Sequence, residues 1–164
     1  MFRIRLWLPV LIAPFFIAGC AHTVPVKGVN DAQNKSWSGR ISLQIESDPP
    51  QAFFAGFELT GQADRGELTL STPIGSVLGV LRWSPGEATL QSGGDVKRYA
   101  SVDALLEQTT GAAVPITALF DWLAGINTRL NGWTADLSRQ DAGRIEALRS
   151  EPAPPTRLRI VLDQ

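Results

Sequence analysis

The sequence is poor in the side chains on which most enzymes and metal sites depend. Its 164 residues contain one histidine, His22, and one cysteine, Cys20, both close to the N terminus. A Ser/His/Asp or Cys/His arrangement and a metal site with His or Cys ligands are therefore not expected. The single cysteine also excludes a disulfide within the chain. The formal net charge is -1 and there is no run of Lys or Arg, so nucleic acid is not an expected partner.

Carboxylates are the remaining candidates for catalysis, since a pair of acids can hydrolyse a glycosidic bond. Asp121 stands out because it lies beside Trp122 in a stretch with helical spacing. A solvated position on that helix explains Asp121 better than a catalytic role does. We therefore expect no enzyme, with a carboxylate enzyme kept as an alternative.

A long apolar run occurs at the N terminus. Arg3 and Arg5 precede an apolar stretch from residue 6 to residue 17, which is too short for a membrane span and typical of a secretory signal. It ends in Ile-Ala-Gly-Cys, which resembles the lipobox of bacterial lipoproteins. Residues 1–19 are therefore predicted to be a signal peptide, and Cys20 to carry an S-diacylglycerol and an N-acyl chain, with no other cofactor and no metal. Residues 20–36 have no apolar period and are predicted to be a flexible tether.

The stretch from residue 66 to residue 83 predicts two strands joined by an apolar turn. Leu68 and Leu70 alternate with polar residues, which is the pattern of a half-buried strand, and the segment after the turn is apolar. Between them, Pro73 and Gly75 favour a turn and place Ile74 near its tip. An exposed Ile74 would suit contact with an apolar partner; the alternative is that it folds back onto the core.

Alternating and helical patterns together predict the fold class. About nine short strands follow one another at even spacing, and two helices are inserted late, one starting after Ser101 and one after Pro115 and ending near Gly125. Nine strands must curl, and short helices need a sheet to cover. Residues 37–164 are thus predicted to be a mainly β domain with some α: a curved antiparallel sheet, or unclosed β-barrel, with a helical lid.

Several motifs in this order resemble the LolB family of outer-membrane lipoproteins of Gram-negative bacteria. Behind the lipobox they are W-x-G-R-I-S-L from residue 37, G-E-L-x-L-x-T-P-I-G-S from residue 66, T-G-x-x-V-P from residue 110 and L-x-x-W-L-x-G from residue 119. The resemblance implies a lipid-anchored receptor on the periplasmic face of the outer membrane. Such a receptor takes lipoproteins from the periplasmic carrier LolA and inserts them into that membrane, with the loop Pro73, Ile74 and Gly75 entering the bilayer.

A receptor of this kind needs an apolar cavity for acyl chains. The predicted lining consists of apolar residues from the strands and both helices: Phe53, Phe57, Leu68, Leu70, Leu78, Val80, Leu105, Phe120 and Leu123. Ordinary core packing is the alternative for each of them. An assembly lipoprotein with a solid core therefore remains a second hypothesis.

The other expected partners follow from the same hypothesis. Acyl chains of cargo lipoproteins and the outer membrane would contact the apolar residues, and the domain is expected to be a monomer. Contact with the carrier should be polar and transient, and four arginines are possible contributors, although solvated surface charge explains each of them as well: Arg40, Arg65, Arg82 and Arg98.

Overall fold

One antiparallel sheet organises the domain. The computed structural model describes residues 35–163, and within them the strands and helices run in the order β1 Lys35–Ile45, β2 Gln51–Gly61, β3 Gly66–Ser71, β4 Val77–Ser84, β5 Glu87–Ser92, β6 Asp95–Tyr99, α1 Val102–Thr110, α2 Ile116–Leu123, β7 Trp133–Asp136, β8 Arg144–Arg149 and β9 Thr156–Leu162. A short 3-10 turn, Gln140–Ala142, precedes β8.

The nine strands are ordered β6-β5-β4-β3-β2-β1-β9-β8-β7. Each strand pairs antiparallel with its neighbour, and the last strand, β9, joins the first, β1. β6 and β7 form the two edges and do not pair with each other, so the curved sheet stays open. The predicted fold, an unclosed β-barrel with helices inserted late, is confirmed.

The folded domain begins slightly earlier than the sequence suggested. β1 starts at Lys35, which pairs with Gly61, so Lys35 and Ser36 belong to the sheet rather than to the predicted tether of residues 20–36. The predicted signal peptide, Cys20 and the rest of that tether lie outside the described residues. Between residues 35 and 163, none of the helices has the length and apolar character needed to cross a bilayer.

The two helices begin and end where local chemistry predicts. The Ser101 hydroxyl accepts a hydrogen bond from the Ala104 N–H at 3.1 Å and caps α1, and Gly111 ends that helix with φ of 71°. Pro115 precedes α2 and makes no side-chain cap. Instead, the Asp103 carboxylate of α1 accepts a hydrogen bond from the Ile116 N–H at 3.1 Å. The side chain of Asp103 on α1 therefore caps the N terminus of α2.

Aromatic side chains fill one end of the sheet. Phe120 of α2 meets Trp37 and Trp83 edge-on, with ring centroids 5.5 and 6.3 Å away. Trp122 packs on Trp133 of β7 at 6.1 Å, and both indoles are fully buried. The hydrophobic core of the described residues runs from Leu43 to Ile160 and draws on strands of the sheet and both helices.

Candidate functional site: an apolar cavity beside an exposed loop

A rigid turn joins β3 to β4 and presents one apolar side chain. The Thr72 N–H donates to the Ser76 carbonyl at 2.8 Å, and the Gly75 N–H donates to the Thr72 carbonyl at 2.9 Å. Gly75 has φ of 86°, a conformation that glycine adopts without strain. Ile74, at the tip, is 89% exposed. The turn thus holds an isoleucine in solvent instead of folding it onto the core.

Four more exposed apolar side chains surround this loop. On the outer face of the sheet, away from the helices, Phe54 is 60% and Val77 is 63% exposed. On the inner face, Phe53 and Leu78 are 37% and 39% exposed. The loop end of the sheet is therefore apolar on both faces, whereas large apolar residues at a surface are usually scattered singly.

A β-bulge interrupts the alternation of β4 and changes which of its residues face inward. Leu70 pairs with Gly79 and Ser71 pairs with Val77, which leaves Leu78 as the extra residue. Beyond the bulge the alternation resumes, and Leu81 points inward while Val80 and Arg82 point outward. The prediction that Val80 faces a cavity is therefore wrong, since a strict period of two from Leu78 misses the bulge.

An apolar cavity of about 360 Å³ lies beneath α1 at the loop end. Its volume falls within the range of small-molecule sites, about 300 to 1,000 Å³. The lining comes from strands β1 to β5 and from α1 and the residues at its end: Leu43, Ile45, Gln51, Ala52, Phe53, Leu70, Leu78, Gly79, Leu81, Leu90, Ser92, Leu105, Leu106, Thr109 and Thr110. None of these lining residues is charged.

The polar groups of the cavity wall are satisfied locally. The hydroxyls of Thr109 and Thr110 donate to the carbonyls of Leu105 and Leu106, each at 2.7 Å. The Ser92 hydroxyl donates to the Leu78 carbonyl at 2.8 Å. Because these hydroxyls already have partners, they do not demand a polar ligand, and the cavity suits hydrocarbon.

The structure divides the nine predicted cavity residues into three groups. Four line the cavity: Phe53, Leu70, Leu78 and Leu105. Four are packed in the core under the helices: Phe57, Leu68, Phe120 and Leu123. Val80, on the outer face, is the ninth. The core group is a correction, because α2 packs onto the far end of the sheet and these four residues do not line the cavity under α1.

Sequence reasoning missed several lining residues. Leu43 and Ile45 alternate along β1, and Leu106 lies on the same face of α1 as the predicted Leu105. The alternation of β1 marked Leu43 and Ile45 as inward-facing. Neither pattern distinguishes a residue facing a cavity from one packed in a core, because both are apolar and inward.

Three of the candidate polar residues, Asp121, Arg82 and Arg98, have partners of their own. The Asp121 carboxylate accepts a hydrogen bond from the Thr128 hydroxyl at 2.6 Å, which fixes the turn after α2. Arg82 pairs with Glu67 at 2.7 Å, and the exposed Arg98 pairs with Glu87 at 3.5 Å. Within residues 35–163 no group of three or more His, Cys, Asp or Glu side chains could hold a metal ion.

The fold and the site together define the class of the protein: a half-barrel covered by helices, with an apolar cavity whose lining carries no charge. The profile of the family described as outer membrane lipoprotein LolB matches residues 33–160. The chain belongs to the LolB family, as its motifs indicated.

Individual relatives align along nearly the whole chain. The outer-membrane lipoprotein LolB of Bordetella petrii is 30% identical in an alignment that covers 99% of this chain and 94% of the relative. The protein of the same name from Cupriavidus necator is 28% identical, covering 97% and 95% of the two chains. That of Cupriavidus metallidurans is 29% identical, covering 88% and 72%.

Proposed function

We propose that the protein is an outer-membrane lipoprotein receptor that accepts lipoproteins from the periplasmic carrier LolA, shelters their acyl chains in the cavity beneath α1 and inserts them into the outer membrane. The observation that carries this proposal is the position of the cavity. Its rim residues Phe53 and Leu78 lie at the same end of the sheet as the exposed Ile74. Acyl chains leaving the cavity would therefore enter a membrane that the loop already touches.

The energetics of lipid transfer require such a cavity. Exposing acyl chains to water costs about 0.8 kcal/mol for each methylene group, so a lipoprotein must pass between apolar sites. Handover can then follow a gradient of affinity without nucleotide hydrolysis. The cavity provides moderate affinity: its walls are apolar, but it is open at one end and less apolar than a bilayer.

The helix α1 is the element that would move to admit a large cargo. It lies against β5 and β6 and provides Leu105 and Leu106 to the cavity wall. Outward displacement of α1 would enlarge the cavity while the aromatic contacts of α2 keep the far end closed. We assign no catalytic role to the protein, and we expect it to act as a monomer.

Lipid attachment completes the proposal. The three relatives named above are each called an outer-membrane lipoprotein. Cys20, the only cysteine, would carry the diacylglycerol and N-acyl groups and hold the domain on the periplasmic face of the outer membrane. Two or more acyl chains are enough for stable anchoring.

A transfer assay with two neighbouring substitutions tests the proposal. Residues 21–164 would be mixed with LolA carrying a lipoprotein, and movement of the cargo would be followed. Leu78→Glu places a carboxylate in the cavity wall and should weaken binding of a fluorescent fatty acid and uptake of cargo by about 10-fold or more. Val77→Glu is the matched control, because Val77 is exposed on the outer face and should leave both unchanged.

Two results would contradict the proposal. If the unsubstituted domain took no cargo and bound no fatty acid saturably, the cavity would be a packing feature of an assembly lipoprotein. If Val77→Glu and Leu78→Glu reduced uptake equally, a carboxylate anywhere near the loop would suffice, and the cavity would have no specific role.

A further inference from the structure

The outer face of the sheet carries a second concave feature, a groove of about 850 Å³. Its floor is made of small side chains on β1, β2 and β3, among them Ser42, Gly56 and Ser71. Gly56 keeps the floor low: a Cβ there would lie 2.7 Å from the Ser71 hydroxyl oxygen, which would have to rotate away. The groove begins at the loop, since Pro73 and Gly75 also line it.

Strand register fixes the order of side chains along the groove. In the row nearest the loop, Phe54 pairs with Ser42, which pairs with Arg159. In the next row, Arg40 pairs with Val161, which pairs with Arg144. One aromatic ring and three guanidinium groups therefore lie on the outer face within two rows of the loop.

The acidic groups of the groove lie at its other end or are already paired. Asp163 accepts a hydrogen bond from the Ser38 hydroxyl at 3.0 Å, and Glu58 pairs with Ser38 across β1 and β2. This row is four residues from Phe54 along β2, a distance of about 13 Å. Glu146 binds Arg157 and Arg159 at 3.3 and 3.4 Å. Within residues 35–163, neither Arg40 nor Arg144 makes an ion pair.

We propose that this groove is a second membrane-contact surface, in which Arg40 and Arg144 bind the phosphates of phospholipid headgroups while Phe54 enters the interface beside Ile74. The inference rests on the proposed function, because it takes the loop to be in the bilayer. Unpaired guanidinium groups complement phosphate oxygens, and an aromatic ring favours the headgroup level. The domain then lies on the membrane along its outer face instead of standing on one isoleucine.

Depth measurements with a single labelled cysteine test this orientation. Residues 21–164 contain no cysteine, so Phe54→Cys can carry one environment-sensitive dye. Vesicles of phosphatidylethanolamine and phosphatidylglycerol containing brominated chains should quench the dye at position 54. Ile126→Cys is the matched control: Ile126 is 55% exposed after α2, at the end of the sheet away from the loop, and should not be quenched.

A third label separates this inference from the proposed function. Ile74→Cys should be quenched strongly, since the loop inserts in either case. Quenching at 74 but not at 54 would overturn the groove as a membrane contact and leave the receptor function intact. Absence of quenching at 74 as well would contradict the loop's membrane role and the groove together.

Removal of the two unpaired charges gives an independent test. Arg40→Gln with Arg144→Gln should reduce affinity for the same vesicles by about 30-fold, since two cations near an anionic surface together contribute about one and a half powers of ten in affinity. The control pair, Arg98→Gln with Arg129→Gln, removes two exposed cations outside the groove and should change affinity less than about 2-fold, because charges that do not touch the surface contribute little.

Three outcomes would overturn the charge assignment. Equal losses in both pairs would mean that net charge alone attracts the domain. Displacement from vesicles by inorganic phosphate at constant ionic strength would identify a site for free phosphate. Unchanged vesicle binding with reduced cargo uptake from LolA would make the groove a carrier contact.

Discussion

The carboxylate of Asp103, on α1, accepts a hydrogen bond from the backbone N–H of Ile116, the first residue of α2. Ile116 is buried, and α2 has no side-chain cap of its own because Pro115 precedes it. One side chain of the first helix therefore completes the N terminus of the second.

Asp103→Ala tests this cap. The substitution leaves a buried N–H without a partner and should lower the free energy of unfolding by about 1 to 2 kcal/mol, as measured by urea denaturation. Glu107→Ala, on the exposed side of the same helix, is the control and should change it by less than about 0.5 kcal/mol. Equal effects would show that the bond to Ile116 adds nothing to stability.

Ile74→Glu tests the loop. Ile74 is 89% exposed, so the substitution should leave the fold and cargo uptake unchanged while abolishing transfer of cargo into vesicles, because a carboxylate resists entry into hydrocarbon. Ile126→Glu is the control, since Ile126 is 55% exposed after α2, at the packed end of the sheet. Normal transfer by Ile74→Glu would refute the role of the loop.

Trp133→Phe tests the packed end. The Trp133 indole is fully buried, and its N–H donates to the Ala113 carbonyl between the two helices at 2.8 Å. Phenylalanine removes that donor and leaves a small void, so unfolding free energy should fall by about 2 to 3 kcal/mol. Fatty-acid binding by the folded variant should persist because the cavity lies at the other end. Loss of binding without loss of stability would contradict this separation.

Asp136 provides a pH-dependent contact. Its carboxylate accepts a hydrogen bond from the Ser138 N–H at 2.9 Å, and this bond, followed by one from the Ser138 side chain, lowers the pKa of Asp136 below its ordinary value. A lowered pKa stabilises the folded state at pH above the unfolded-state pKa, and that contribution is lost as pH falls through the folded-state value.

The Ser138 amide resonance should report this titration by NMR. Its midpoint is expected below the ordinary carboxyl pKa in the unsubstituted protein, and Asp136→Asn should abolish that pH dependence. A midpoint at the ordinary value would show that the turn does not hold the carboxylate.

The order of elements could be predicted from sequence because each has a local cause. Strand alternation, the Ser101 cap and the glycine after each helix are set by neighbouring residues. The cavity depends on long-range packing. Phe57 and Phe120 carry the same apolar signal as Phe53, and only the docking of α2 at one end decides which of them meet open space.

The bulge in β4 and the outer groove also could not be predicted from local sequence patterns. One extra residue in β4, Leu78, moves each later side chain of that strand to the opposite face from the one that strict alternation predicts. No turn-forming residue marks the position. The grouping of Arg40, Arg144 and Arg159 requires β9 to lie beside β1, a pairing of the two ends of the domain that periodicity cannot reveal.

The starting point of β1 sets a length requirement on the lipid-anchored segment. Lys35 pairs with Gly61 at the end of the sheet away from the loop, and the stretch from Gly66 to Ile74 spans about 26 Å at about 3.3 Å per residue. Fully extended, the backbone between Cys20 and Lys35 reaches about 50 Å. With a lipid on Cys20, as proposed, that reach would allow the loop to enter the leaflet that holds the anchor even with the sheet perpendicular to the membrane. A segment shorter than about 26 Å would force the domain to lie flat.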